Sequence, residues 1–105
     1  MKKSRPCLRS TGLKLRIRWT SVATRVLLST GDYVAQDNPK AATKLLKQIR
    51  ASVKLLQRHP FMGRRTEFEG VRELVVHANY LVSYRVSNDT VEILQLWHAA
   101  QKRYH

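Results

Sequence analysis

The last nine residues, Trp97 to His105 (WHAAQKRYH), gather an indole, two imidazoles, a phenol and two cations. Metal-independent cleavage of a phosphodiester needs a base for the attacking hydroxyl and an acid for the leaving oxygen. It also needs cations to neutralise the developing charge. His98, Tyr104 and His105 carry groups able to move the protons; Arg72, Arg85, Lys102 and Arg103 carry the charge. Such groups act only when held to about half an ångström, and a chain end frays. The same residue types also serve structure: a histidine closing a strand is first a hydrogen-bonded element of the fold. Other chemistries find no support. The four histidines, His59, His77, His98 and His105, lack metal-ligand spacing, and Cys7 has no partner cysteine. No glycine-rich loop is present to cradle a phosphate, so neither a metal nor a cofactor is expected.

The elements that must position these groups follow from periodicity. In 13–19, Leu13, Leu15, Ile17 and Trp19 alternate with Lys14, Arg16 and Arg18, which predicts a half-buried strand. Thr20 or Ser21 caps a helix whose apolar face is Ala23, Val26, Leu27, Thr30, Tyr33 and Val34. Gly31 weakens that helix locally. Asn38 then caps a second helix, with Pro39 at its first position. Its stripe is Ala42, Leu45, Leu46, Ile49, Val53 and Leu56, with Lys40, Lys44, Lys47, Lys54 and Arg58 on the opposite side. His59-Pro60 ends it, and the short link makes the pair an antiparallel hairpin. Residues 61–70 read as a loop, followed by strands at 71–76, 80–86 and 90–98 joined by turn-like HAN and SND. In the last strand Val91, Ile93 and Trp97 fall on one face, Leu94, Leu96 and His98 on the other. Tyr80, Val82 and Tyr84 share a packing face, and Arg85 points away with Leu81 and Ser83. The fold class is α+β, β-α-α-β-β-β, a helical hairpin packed on a small, mainly antiparallel sheet.

The chain of 105 residues suits one domain, and its 43% hydrophobic content supplies one core. Twenty Lys+Arg against seven Asp+Glu give a net charge of +13, which points to a polyanion or an acidic protein as partner. Seven of those cations, Lys2, Lys3, Arg5, Arg9, Lys14, Arg16 and Arg18, fall within residues 1–18, which hold no acid. Residues 1–12 are therefore read as a flexible basic arm, and 13–105 as the domain. A single cysteine excludes an intramolecular disulfide. No run approaches the roughly 18 apolar residues that span a bilayer. A soluble cytoplasmic protein, with no membrane partner, is expected.

With that element order, residues 17–98 resemble the RelE/ParE superfamily of bacterial toxins. The likeness runs through IRWT, DYVAQDNPKAA, HPFMGRR, VRELVV, YLVSYRV and DTVEILQLWH, and the RELVV, YRV and VEIL segments are most similar to ParE. The resemblance implies a toxin of a type II toxin–antitoxin system, neutralised by a cognate antitoxin that is acidic and partly disordered. ParE members are associated with poisoning DNA gyrase, RelE members with cleaving mRNA on the ribosome. RelE-type nucleases carry a phosphate-contacting arginine after the tyrosine that opens the YLVSYRV equivalent; here that position is Leu81. A lysine pair one strand earlier is replaced by Arg72 and Leu74. Another nuclease branch fuses Arg-Tyr-His to its final strand, whereas Arg103-Tyr104-His105 follows Trp97-His98 about six residues late. As a nuclease the chain would rely on Arg72, Arg85, His98, Arg103 and Tyr104. As a ParE-like gyrase inhibitor it would engage its target through Arg64, Arg65, Arg72, His98, Lys102, Arg103 and Tyr104. The antitoxin would bind at Lys47, Lys54, Arg85 and Trp97. A third reading, a degenerate toxin kept for its antitoxin contact, rests on Gly31 and the arm.

Overall fold

The computed structural model describes residues 14–100. The expected arm, 1–12, and the tail carrying Lys102, Arg103, Tyr104 and His105 lie outside the described residues. Between them the chain forms β1 (Arg16–Trp19), α1 (Ser21–Asp37), α2 (Pro39–Lys54), β2 (Arg64–Arg65), β3 (Val71–His77), β4 (Tyr80–Ser87) and β5 (Thr90–His98). The five strands make one sheet in the order β1-β5-β4-β3-β2, with β1 parallel to β5 and the other pairs antiparallel. The expected α+β architecture is present. β2 is an addition: two residues of the predicted loop pair with Arg72 and Glu73 of β3.

Local chemistry sets the helix starts. The hydroxyl of Thr20 accepts the backbone N–H of Ala23 at 3.3 Å and donates to the Ile93 carbonyl at 2.8 Å. One side chain thus caps α1 and ties it to β5. The Asn38 side chain caps α2 by accepting the Ala41 N–H at 3.1 Å, and Pro39 opens the helix as predicted. α2 stops at Lys54, earlier than His59-Pro60 suggests, because Leu55–Gln57 tighten into a 3₁₀ turn that buries Leu56. Gly31 is buried where α1 meets α2: a Cβ there would lie 2.9 Å from Leu46 Cδ1. Its cost in helix propensity accompanies close packing against the Leu46 side chain.

Both helices cover the same sheet face. Ala23, Leu27, Leu45, Ile49, Val53 and Leu56 meet Leu74, Val76, Val82, Tyr84, Val91, Ile93 and Leu96 in a single core. Tyr33 departs from the predicted stripe and is 71% exposed. It sits six residues after Leu27, about 120° around the helix from the buried line.

A second departure decides a face. In β4–β5 the register runs Ser83 to Gln95 but Tyr84 to Ile93, so Leu94 is an extra residue, a β-bulge. Beyond it the alternation is reversed. Leu96 takes the core position at 1% exposure, and Trp97 turns to the sheet face away from the helices. A similar bulge at Val76 frees a carbonyl that accepts the Ser52 hydroxyl of α2 at 3.3 Å.

Thr20→Ala removes both the cap and the tether to β5. It is expected to cost about 1–2 kcal/mol in urea unfolding, and a loss below about 0.5 kcal/mol would show that the two bonds do not act together.

Candidate functional site

Tyr84 is fully buried in the core, and its hydroxyl anchors the turn that leads into β2. It donates to the Pro60 carbonyl at 2.8 Å and accepts the Gly63 N–H at 3.0 Å. Gly63 has no room for a side chain: a Cβ would meet Tyr84 Oη and the Glu73 carbonyl, both at 2.7 Å. Arg72 completes the lock, donating to the carbonyls of Gly63 at 2.8 Å and Phe61 at 3.3 Å, with its guanidinium 5.2 Å above the Phe61 ring. β3 and β4, through Arg72 and Tyr84, thereby place the short β2 strand, and with it Arg64 and Arg65, at the sheet edge. Burial pushes the Tyr84 hydroxyl above its ordinary 10.0, and the Gly63 N–H and the Arg72 charge pull it down only in part.

The sheet face away from the helices carries most of the chemistry. Register lines up Arg18, Glu92 and Arg85 across β1, β5 and β4, with an Arg18–Glu92 ion pair of 2.6 Å. The next row is Gln95, Ser83, Glu73 and Arg64. Glu73 is 5% exposed, and its carboxylate accepts Nε and Nη2 of Arg64 at 3.3 and 3.0 Å. A buried carboxylate requires such bonds. The third row is apolar: Trp97, Leu81 and Val75, in register on neighbouring strands. Trp97 Nε1 donates to Ser83 Oγ at 2.9 Å. Leu81 is 8% exposed, whereas Val75 is 70% exposed. The face is thus cationic along one side and apolar along the other.

Histidine chemistry collects at one sheet end. Tyr80 lies between His77 and His98, with ring centroids 5.8 and 5.2 Å away. Nδ1 of His77 accepts the Asn79 N–H, and Nδ1 of His98 accepts the Ala100 N–H, each at 3.1 Å. An accepting Nδ1 places the proton of the neutral ring on Nε2. Among the described residues no cluster of three or more His, Cys, Asp or Glu could hold a metal. Nor is any helix there long and apolar enough to cross a membrane.

The residues singled out from the sequence do not form one site. Arg64, Arg65 and Arg72 share the β2–β3 edge, with Arg65 directly opposite Arg72. His98 sits at the end of β5, and Arg85 is exposed on the open face. Lys47 and Lys54 are exposed on α2, on the helical side, opposite the face that holds Arg85 and Trp97. A partner touching all four of those residues has to reach around the sheet. Lys102, Arg103 and Tyr104 lie outside the described residues. Sequence reasoning missed Glu73, a single acid inside an apolar strand, and the lock formed by Tyr84 and Gly63. A carboxylate in the middle of VRELVV was the available signal for the first; nothing local marks the second.

A helical hairpin on one face of a five-stranded sheet, with a cationic and partly apolar face left open, is the architecture of the small RelE/ParE-type toxins. The model of the ParE toxin of the type II toxin–antitoxin system parDE matches residues 17–103. Y4kP of Sinorhizobium fredii is 41% identical over 88 residues, covering 83% of this chain and 91% of that protein. Toxin RelE2 of Caulobacter vibrioides is 31% identical over 86 residues, covering 82% and 97%. Among solved structures, the chromosomal ParDE toxin–antitoxin system from P. aeruginosa superposes with a TM-score of 0.72 at 29% identity, covering 81% of this chain and 96% of that one. The chain belongs to the ParE toxin family of type II toxin–antitoxin systems.

Tyr84→Phe removes both bonds of the lock and leaves the Gly63 N–H without its buried partner, at an expected cost of about 1–3 kcal/mol at pH 7. The folded state prefers the neutral phenol, so the ionisation-linked part of its contribution is intact below pH 10 and is lost as pH rises through the raised folded-state value. The stability gap between wild type and Tyr84→Phe, followed by urea unfolding, is expected to narrow above pH 10. A gap that stays constant across that range would refute the linkage.

Proposed function

We propose that this toxin arrests growth by binding DNA gyrase, as a non-enzymatic inhibitor, and that a cognate acidic antitoxin blocks it. The observation that carries the reading is Leu81. Where the mRNA-cleaving members have a phosphate-contacting arginine, this chain has an apolar side chain, 8% exposed and in register between Val75 and Trp97. An alkyl group there stabilises no phosphorane charge. Arg72 supports the same reading, because its guanidinium is engaged by two loop carbonyls. The match to the parDE family model points the same way.

A surface that binds a large partner without chemistry needs apolar anchors inside a polar rim. The row of Trp97, Leu81 and Val75, bordered by the row that holds the Arg64–Glu73 pair, with Arg85 one row beyond, has that composition. Arg64 and Arg65 at the exposed β2 edge lie at its margin.

Induction in cells lacking the antitoxin is expected to cause filamentation and an SOS response, and the purified protein to block supercoiling by gyrase. Ordered mRNA breaks on ribosomes, with supercoiling unaffected, would instead establish the ribosome-dependent endoribonuclease.

The antitoxin reading adds an electrostatic expectation. A chain of net charge +13 draws an acidic segment by long-range attraction, a term that acts mainly on encounter. Raising the salt concentration in a stopped-flow binding experiment is expected to slow association more than it speeds dissociation. An association rate indifferent to salt would remove the electrostatic account.

A further inference from the structure

On the helical side, a groove of about 360 Å³ opens between α1 and the ends of β4 and β5. Its wall on α1 is Arg25, Ser29 and Tyr33, spaced four residues apart and so aligned along one stripe. Val26, Thr30 and Leu96 also line it, and Tyr80 and His98 close it on the sheet side. Every polar side chain in that lining can donate a hydrogen bond: a guanidinium, two alcohols, two phenols and an imidazole whose Nδ1 already accepts from Ala100. Among the described residues no carboxylate lines it. Arg25 is exposed and joins no ion pair among the described residues. Tyr33, 71% exposed, holds a large aromatic surface in water beside this donor set.

A lining rich in hydrogen-bond donors, next to a guanidinium with no ion-pair partner among the described residues, suits an anion. Two tyrosines beside it suit a flat ring, and the volume falls in the range of about 300–1,000 Å³ that holds small-molecule-sized groups. A carboxylate from a protein segment would satisfy Arg25 but leave the aromatic walls unused. A nucleotide unit uses both, with its phosphate on Arg25 and the alcohols and its base on a tyrosine ring. That pairing of cation and stacking platform is the general solution for single-stranded nucleic acid. We propose that the α1 groove binds a single nucleic-acid strand, one phosphodiester at Arg25 and one base at Tyr33. The contact goes beyond gyrase binding and is measured with gyrase absent.

The test uses the full chain and a short fluorescent single-stranded oligothymidylate, with affinity read by anisotropy across a salt series. Basic residues elsewhere, including the N-terminal cations, contribute a background, so the reference is Lys44→Ala, which removes one exposed charge from α2 outside the groove. Tyr33→Ala is expected to weaken binding about five-fold or more at every salt concentration, without changing the salt slope. Arg25→Ala is expected to weaken binding beyond the Lys44→Ala reference and to lower the slope by about 0.7. Both side chains are exposed, so circular dichroism should show an unchanged fold. If both groove variants bind as the reference does, the contact is made elsewhere and the proposal fails. It fails equally if a poly-glutamate peptide binds more tightly than the oligonucleotide in a Tyr33-dependent way, which would assign the groove to an acidic protein segment.

Discussion

The last strand must be hydrogen-bonded on both sides, and the rest of the structure depends on that. β5 takes β1 in parallel on one edge and β4 in antiparallel on the other. β1 comes from the start of the described chain, so the sheet closes only when its two ends meet. The pairing spans more than seventy residues of sequence, as in the Thr20 bond to Ile93, and carries a correspondingly large loop-closure cost. What offsets that cost is apolar burial on one face, where Val91, Ile93 and Leu96 are sealed under the helices. The hairpin of α1 and α2 is the connection that makes a parallel β1–β5 pair feasible, and at Gly31 the Leu46 side chain of α2 lies where a Cβ would come within 2.9 Å of it.

From this frame the open face inherits its character. A strand with a regular alternation would have placed Trp97 in the core and Leu96 outside. The extra residue at Leu94 exchanges them, and an indole joins a sheet face that also holds the buried Leu81, the exposed Val75 and several arginines. The Tyr84 hydroxyl reaches from the core to the turn at Pro60–Gly63, so the edge strand carrying Arg64 and Arg65 is held by buried bonds rather than by its own two-residue pairing. Arg72 is drawn into that lock. Its charge therefore serves architecture, and the open face keeps Arg85, Arg16, Arg18 and Arg64 among its cations, partly balanced by Glu92 and Glu73. Such a face sets apolar and cationic contacts side by side.

Much of the fold was legible because its signals are local. The alternation in LKLRIRW, the cap and proline at Asn38-Pro39, the lysine-backed stripe of α2 and the three strand segments all rest on short-range periodicity and capping chemistry. Leu81 was legible as well, since its significance lies in residue type at a motif position. Tyr33 was misplaced because a six-residue step drifts off the apolar line. The Leu94 bulge was invisible because nothing in VEILQLWH distinguishes an extra residue from a regular one: Leu94 and Leu96 are equally apolar.

The site divides along the same line. By itself the sequence determined the element order, the position of the core, the family of toxins to which the chain belongs and the absence of the arginine at Leu81. Only the tertiary structure decided which side chains share a surface. It turned Trp97 outward, committed Arg72 to the Phe61 and Gly63 carbonyls, buried Glu73 beside Arg64, and set Arg25 and Tyr33 along a groove that ends at Tyr80 and His98. The reason is physical. Helix and strand formation depend on neighbours within a few positions, whereas a bulge, a buried hydroxyl or a groove wall depends on contacts between residues far apart in the chain, whose geometry is settled only when the sheet closes.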